Sequence, residues 1–77
     1  MPYVAIKSFP KDEETKKKLV ERVNEAVMEV CGVPQQAVTI TYEEIAKEDW
    51  QEIVVKAQID PIADKLYINK GEKLYEK

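Results

Sequence analysis

The 77-residue sequence contains no histidine, a single cysteine and only two glycines. Without histidine, Ser–His and Cys–His nucleophilic pairs and histidine metal ligands are excluded. One cysteine excludes an intramolecular disulfide and argues against a structural zinc site. The glycines, Gly32 and Gly71, stand alone and do not form a phosphate-binding loop. We therefore expect a function that needs neither a metal ion nor an organic cofactor.

A strong charge of one sign is also missing, since 12 Lys and Arg residues stand against 15 Asp and Glu residues, a net charge of −3. A nucleic-acid-binding domain is normally basic, so we expect no nucleic-acid partner. The sequence has no apolar run long enough to span a membrane, and its N-terminus lacks a basic segment followed by an apolar one. These features predict a cytoplasmic protein with no membrane partner.

The length allows one small domain, covering residues 1–77. So short a chain buries little apolar surface to offset the conformational entropy that is lost on folding. Because a disulfide is excluded and a zinc site is disfavoured, association of identical chains is the remaining source of stability. We therefore expect a homo-oligomer.

The first half of the chain predicts a β-α-β unit. Pro2–Phe9 and Ala37–Glu43 alternate between two faces, as strands do, and the segment between them carries apolar residues at helical spacing, from Leu19 to Cys31. Asp12 is a suitable N-cap and Gly32 a suitable C-terminal cap. The two strands should be parallel, with the helix on one face of the sheet and the thiol of Cys31 buried beneath it. The other face would be bare and is the expected subunit contact.

The second half is less clearly patterned, and we expect a short strand and helix as a C-terminal extension. Residues 45–51 look like a loop with a helical turn near its end. Residues 53–59 alternate as a strand does, although a continuing helix remains an alternative. Asp60 followed by proline predicts an N-cap and a helix over residues 61–68, which residues 69–71 would end.

Pro2 is the one unusual reactive group. Cellular processing commonly removes Met1 before a small residue such as proline, which would leave a secondary amine at the start of the chain. An apolar pocket would lower the pKa of that amine towards neutrality, where a general base is most effective. The alternative is that Pro2 only aids processing or caps the edge of a strand.

The segment 2–17, the pairs Leu19-Val20 and Ala26-Val27, and the segment 34–50 together resemble the 4-oxalocrotonate tautomerase family. The resemblance covers the whole β-α-β unit. It implies an α/β (α+β) chain with the tautomerase, or MIF-like, fold, which acts as a keto-enol isomerase on a small-molecule substrate.

Two segments are most similar to the short dimeric branch of that family, whose members act on phenylpyruvate-type enols. They are Ile6–Pro10, which matches an Ile-Lys-x-Phe-Pro segment, and Trp50–Ile53, which matches a Trp-Gln-x-Ile segment. This likeness favours a dimer, and a hexamer remains the alternative.

The resemblance also implies the site residues. Pro2, once Met1 is removed, would be the general base. Lys11 stands where the family has an arginine that grips the substrate, and Thr39 stands where it has a second arginine. Trp50 stands where the family has an aromatic residue that lines the pocket. Lysine lacks the bidentate fork of arginine and threonine lacks charge, so monoacid substrates are favoured over dicarboxylates.

Two other functions stay open. One is a promiscuous dehalogenase or hydratase relative, for which the sequence offers no arginine in place and no well-placed activating acid. The other is a catalytically silent oligomeric module of the same fold, which becomes the better interpretation if Met1 is retained. In that case the nitrogen of Pro2 is an amide and has no basic lone pair.

Overall fold

The computed structural model describes residues 2–76, which form two compact units, one ending at Lys47 and one beginning at Glu48. The expected single domain covering residues 1–77 stays a prediction. Over residues 2–76, no helix combines the length and the apolar content that crossing a bilayer would require.

The first unit is a β-α-β unit. Strand β1 covers Tyr3–Ser8, helix α1 covers Glu13–Cys31 and strand β2 covers Thr39–Glu44. The strands are parallel, in a register that runs from Tyr3 opposite Thr39 to Ser8 opposite Glu44. This arrangement confirms the predicted parallel pair with a helical crossover, and the strand ends differ from the predicted ones by one or two residues.

Helix α1 begins and ends at the predicted caps. The Asp12 carboxylate accepts the backbone N–H of Thr15 at 3.2 Å, which satisfies one of the donors that a helix start leaves unpaired. At the other end Gly32 adopts a left-handed conformation, with φ of 66°, and its N–H donates to the carbonyl of Met28 at 2.9 Å. Glycine reaches this conformation without the steric penalty of a side chain.

The expected burial of Cys31 is wrong, because its side chain is exposed. The 19 residues of α1 extend about 28 Å, whereas the six residues of β1 extend only about 20 Å. The last turn of the helix therefore has no sheet of matching length to cover it, and Val30 in the same turn is 83% exposed.

The two faces of the sheet differ in burial. On one face, the side chains of Val4, Ile6, Ile40 and Tyr42 are half-buried. On the other, Tyr3, Ala5, Thr39 and Thr41 are exposed. Of residues 2–76, only Ile45 in the first unit and Val54 in the second are buried, at 5% and 4% exposure, so each unit buries few side chains.

The second unit is helical where a strand was expected. Residues Gln51–Ile59 form a π-helix, in which each N–H bonds to the carbonyl five residues back, and Asp60 donates to Val55 in this way. The strand interpretation of residues 53–59 is wrong and the helical alternative is correct. Val54, Val55 and Ile59 are buried or half-buried, and their spacing of one and four residues places them on one side of this wide helix. Residues that alternate along the chain would not lie on one side of it.

The helix predicted over residues 61–68 is shorter than expected. Asp60–Lys65 form a 3₁₀ segment that continues directly from the π-helix, so Asp60 does not act as an N-cap. Residues 69–71 belong to a hairpin in which β3, Ile68–Asn69, pairs antiparallel with β4, Glu72–Lys73. Lys70 and Gly71 form its loop with positive φ values of 51° and 85°.

Candidate active site

The structure holds Pro2 beside Thr39, two of the predicted site residues. The carbonyl of Pro2 accepts the backbone N–H of Thr39 at 3.1 Å, one step before the paired register of β1 and β2 begins. Pro2 is half-buried and Thr39 is exposed. Met1 lies outside the described residues. Pro2 is therefore anchored to the start of β2.

The turn before β2 is tied to the helix. The side-chain amides of Asn24 on α1 and Gln35 exchange two hydrogen bonds, each of 2.9 Å. Gln35 opens a short 3₁₀ turn, and its carbonyl accepts the N–H of Val38 at 3.2 Å. The next residue is Thr39, so this pair anchors the backbone that holds Pro2.

Two further hydroxyl groups lie on the same sheet face as Thr39 and were not predicted as site residues. The Tyr3 hydroxyl and Thr41 Oγ1 are 3.3 Å apart. The alternation of strand residues between two faces could have identified them, because Tyr3 is paired with Thr39 and Thr41 follows two positions later. This end of the sheet therefore presents neutral hydrogen-bonding groups.

Lys11 lies at the opposite end of the sheet from Pro2. Its backbone N–H donates to Glu44 Oε2 at 2.8 Å, and Glu44 is the last residue of β2, whereas Thr39 beside Pro2 is the first. The first and last residues of this six-residue strand are five steps, about 17 Å, apart. Within one chain, the structure does not bring Lys11 to Pro2.

The Glu44 carboxylate that binds the Lys11 N–H belongs to a cluster of charged side chains. Lys16 Nζ lies 3.3 Å from Glu44 Oε1 and 3.2 Å from Glu13 Oε1. The backbone N–H of Lys11 and then the Lys16 ammonium hold the pKa of the Glu44 carboxyl below its ordinary value. Glu13 raises the pKa of Lys16, and Glu44 acts in the same direction. Desolvation lowers this pKa, but its effect is smaller than that of Glu13. In the region from residue 2 to 76, the ammonium of Lys11 belongs to no ion pair.

Trp50 belongs to the second unit, where it lines a pocket of about 360 Å³. The walls of this pocket are mainly apolar, and its polar side chains are those of Asp60, Asn69 and Lys70. Small-molecule sites have this size range and this mixture of apolar walls with a few polar groups. Trp50 therefore forms one wall of a cavity of small-molecule size.

The described residues contain no cluster of three or more Cys, Asp or Glu side chains that could hold a metal ion. Glu43 and Glu44 do not form a catalytic carboxylate pair. They lie on opposite faces of β2, where Glu43 Oε1 is 3.5 Å from Lys7 Nζ while Glu44 contacts Lys16.

Comparison with known proteins identifies the family. A family model described as "Tautomerase enzyme" matches residues 2–54. A probable tautomerase of Bacillus cereus is 39% identical over 51 residues, which cover 65% of this chain and 84% of that protein. The 2-hydroxymuconate tautomerase of Bacillus subtilis is 37% identical over 51 residues, which cover 65% of this chain and 82% of that protein. Tautomerase PptA of an Enterobacter species is 30% identical over 73 residues, covering 92% of this chain and 96% of its own.

The fold comparison agrees. The crystal structure of YwhB, a homologue of 4-oxalocrotonate tautomerase, is similar with a TM-score of 0.57 and 38% sequence identity, covering 60% of this chain and 77% of that one. Its likeness supports the α+β class that the parallel strands and their crossover helix show. The chain therefore belongs to the tautomerase family, and its activity is that of a tautomerase, an isomerase.

Proposed function

We propose that Pro2, exposed as the N-terminal residue by removal of Met1, is the general base of this tautomerase. The observation that supports it is the 3.1 Å hydrogen bond from the Thr39 N–H to the Pro2 carbonyl, which fixes a half-buried Pro2 at the start of the sheet. The family match also begins at residue 2. A fixed position matters because proton transfer requires the base to stay within hydrogen-bond reach of the proton.

The proposed reaction moves one proton within the substrate. The Pro2 amine accepts the proton of the enol hydroxyl, the oxygen electrons form the carbonyl, and the electrons of the C=C bond take a proton at carbon. The pyrrolidinium returns that proton, so the amine is regenerated and no other reactant is consumed. A small enol, a 2-hydroxydienoate or a phenylenolpyruvate-like acid fits this chemistry.

The remaining site residues are assigned on their chemistry. Lys11 would attract the substrate carboxylate as a point charge, since its ammonium has no ion-pair partner among residues 2–76. Thr39 would donate a neutral hydrogen bond. Trp50, in the wall of its apolar pocket, would hold the flat apolar part of the substrate. This set favours a monoacid over a dicarboxylate.

A homo-oligomer follows from the same assignment. Lys11 and Pro2 of one chain lie at opposite ends of the sheet, with about 17 Å of strand between their partners on β2, so we place Lys11 at the Pro2 of a second copy. The few buried side chains of each unit and the exposed apolar side chains, among them Leu19 and Ile53, support association. We propose a dimer, with a hexamer as the alternative that light scattering distinguishes.

The test combines intact mass with kinetics. Mass spectrometry should show loss of Met1, and the ultraviolet decay of phenylenolpyruvate should be fast with the wild type and at least a hundredfold slower with Pro2→Ala, the usual size of a general-base contribution. Pro61→Ala is the matched control, because Pro61 lies in the 3₁₀ segment Asp60–Lys65 and is not one of the proposed site residues. Equal rates for wild type and Pro2→Ala would leave the silent oligomeric module, and turnover of a halogenated acid without tautomerisation would favour the dehalogenase or hydratase alternative.

A further inference from the structure

The carboxylate of Glu44 is held at a defined place by its own backbone. Glu44 ends β2 opposite Ser8, and the N–H of the following residue, Ile45, donates to the carbonyl of Ser8 at 2.8 Å. The side chain is about two-thirds buried, with 35% exposure. Its two oxygens contact different groups.

One oxygen of Glu44 binds the backbone of Lys11 rather than its side chain. Oε2 accepts the Lys11 N–H at 2.8 Å, which fixes the segment between β1 and α1. Oε1 lies 3.3 Å from the Lys16 ammonium, which Glu13 holds from the other side at 3.2 Å. Lys16 therefore supplies the cation that pairs with Glu44.

We infer that Glu44 is a positioning residue for Lys11: it fixes the Lys11 backbone, while Lys16 neutralises its charge and leaves the Lys11 ammonium available to a substrate carboxylate. This inference rests on the proposed role of Lys11. It assigns Lys16 a function although Lys16 does not touch the substrate. It is consistent with the Lys11 ammonium having no ion-pair partner among residues 2–76, although the Lys11 backbone N–H binds a carboxylate.

The arrangement predicts a specific pattern of KM values for phenylenolpyruvate, with kcat near that of the wild type throughout. Glu44→Ala removes the acceptor of the Lys11 N–H and should raise KM about three- to tenfold, the effect of losing one hydrogen bond. Glu44→Gln keeps an acceptor oxygen and should leave KM near the wild-type value. Lys16→Gln frees the Glu44 charge to pair with Lys11 and should raise KM by a similar factor.

The decisive variant is the double substitution Lys16→Gln with Glu44→Gln. It removes the competing charge and should return KM to within about twofold of the wild type, whereas a merely structural loss caused by Lys16→Gln would persist in the double variant. Glu43→Ala is the matched control, because Glu43 is adjacent and pairs with Lys7 on the other face, and it should leave KM unchanged. The methyl ester of the substrate has no carboxylate and should show no dependence of KM on Glu44 or Lys16.

The inference is overturned if Glu44→Ala keeps the wild-type KM, or if the double variant stays as impaired as Lys16→Gln. Two further variants separate this failure from failure of the proposed function. If Lys11→Ala leaves KM unchanged, the assigned role of Lys11 is wrong and the inference falls with it. If Pro2→Ala keeps full activity, the general base is misassigned, while the KM pattern still reports on Lys11. Thermal melting of every variant identifies any loss caused by unfolding.

Discussion

The reciprocal amide pair between Asn24 and Gln35 should couple the helix to the turn before β2. Both hydrogen bonds are 2.9 Å long, and each amide acts once as donor and once as acceptor. Asn24→Ala, Gln35→Ala and the double substitution test this coupling. Gln36→Ala is the control, because in the described part of the chain no hydrogen bond of the neighbouring Gln36 side chain is found.

The expected magnitude follows from two neutral hydrogen bonds at a partly exposed site. Each contributes about 0.5 to 1 kcal/mol net, since water replaces part of what is lost, so either single substitution should cost about 1 to 2 kcal/mol. Replacing either amide removes both bonds, so the double variant should lose at most about 0.5 kcal/mol more stability than a single variant. This corresponds to a coupling energy of about 1 kcal/mol between the two residues. For a chain of 77 residues, about 1 kcal/mol shifts Tm by roughly 6 °C.

Urea unfolding followed by circular dichroism, at one fixed protein concentration, measures these free energies. Additive losses in the two single variants, with a coupling energy below about 0.3 kcal/mol, would refute the argument that the amides act as one unit. A loss of the same size in Gln36→Ala would show that the turn responds to any substitution and that the pair is not special.

Acid should destabilise the protein, because the carboxyl groups of Asp12 and Glu44 have lowered pKa values in the folded state. Hydrogen bonds from Thr15 lower the pKa of Asp12, and the Lys11 N–H, followed by Lys16, lowers the pKa of Glu44. The stability that these two carboxylates contribute is therefore complete above their ordinary pKa values of 3.8 and 4.5, and it is lost as the pH falls through the lower pKa values of the folded state. Tm measured from pH 7 to pH 2 should fall less steeply in Asp12→Asn, and an unchanged slope in that variant would contradict the assignment. In the hairpin, Lys70 has a φ of 51°, and Lys70→Asn should raise Tm by a few degrees because asparagine tolerates the left-handed region. Gly71→Ala, at a φ of 85°, should lower Tm, and a rise there would refute the argument from backbone conformation.

Local signals in the sequence predicted the first unit. Asp12 and Gly32 mark the ends of α1 because a capping carboxylate and a left-handed glycine act on their own neighbours and need no tertiary contact. The alternation of the two strands and the helical spacing between them were enough for the parallel pairing, since a helical crossover permits little else. The likeness of residues 2–54 to the tautomerase family was also present in the sequence.

The misassigned elements are those in which local pattern is ambiguous. Residues 53–59 show an apolar alternation that suits a strand, but a strand needs a partner and none pairs with this segment among the described residues. The chain therefore satisfies its backbone groups internally, as a π-helix. Cys31 lies on the apolar stripe, yet its burial depends on the length of the sheet opposite, which the helix sequence does not contain.

The sequence by itself determined the order of the elements, their caps, the family and the identity of the candidate site residues. Only the tertiary structure decided which of those residues are neighbours. It places Pro2 against Thr39 and puts Lys11 at the far end of the same strands, where its backbone N–H donates to the carboxylate of Glu44. The physical reason is that a strand separates residues by about 3.3 Å at each step, whereas pairing brings together residues that are far apart along the chain.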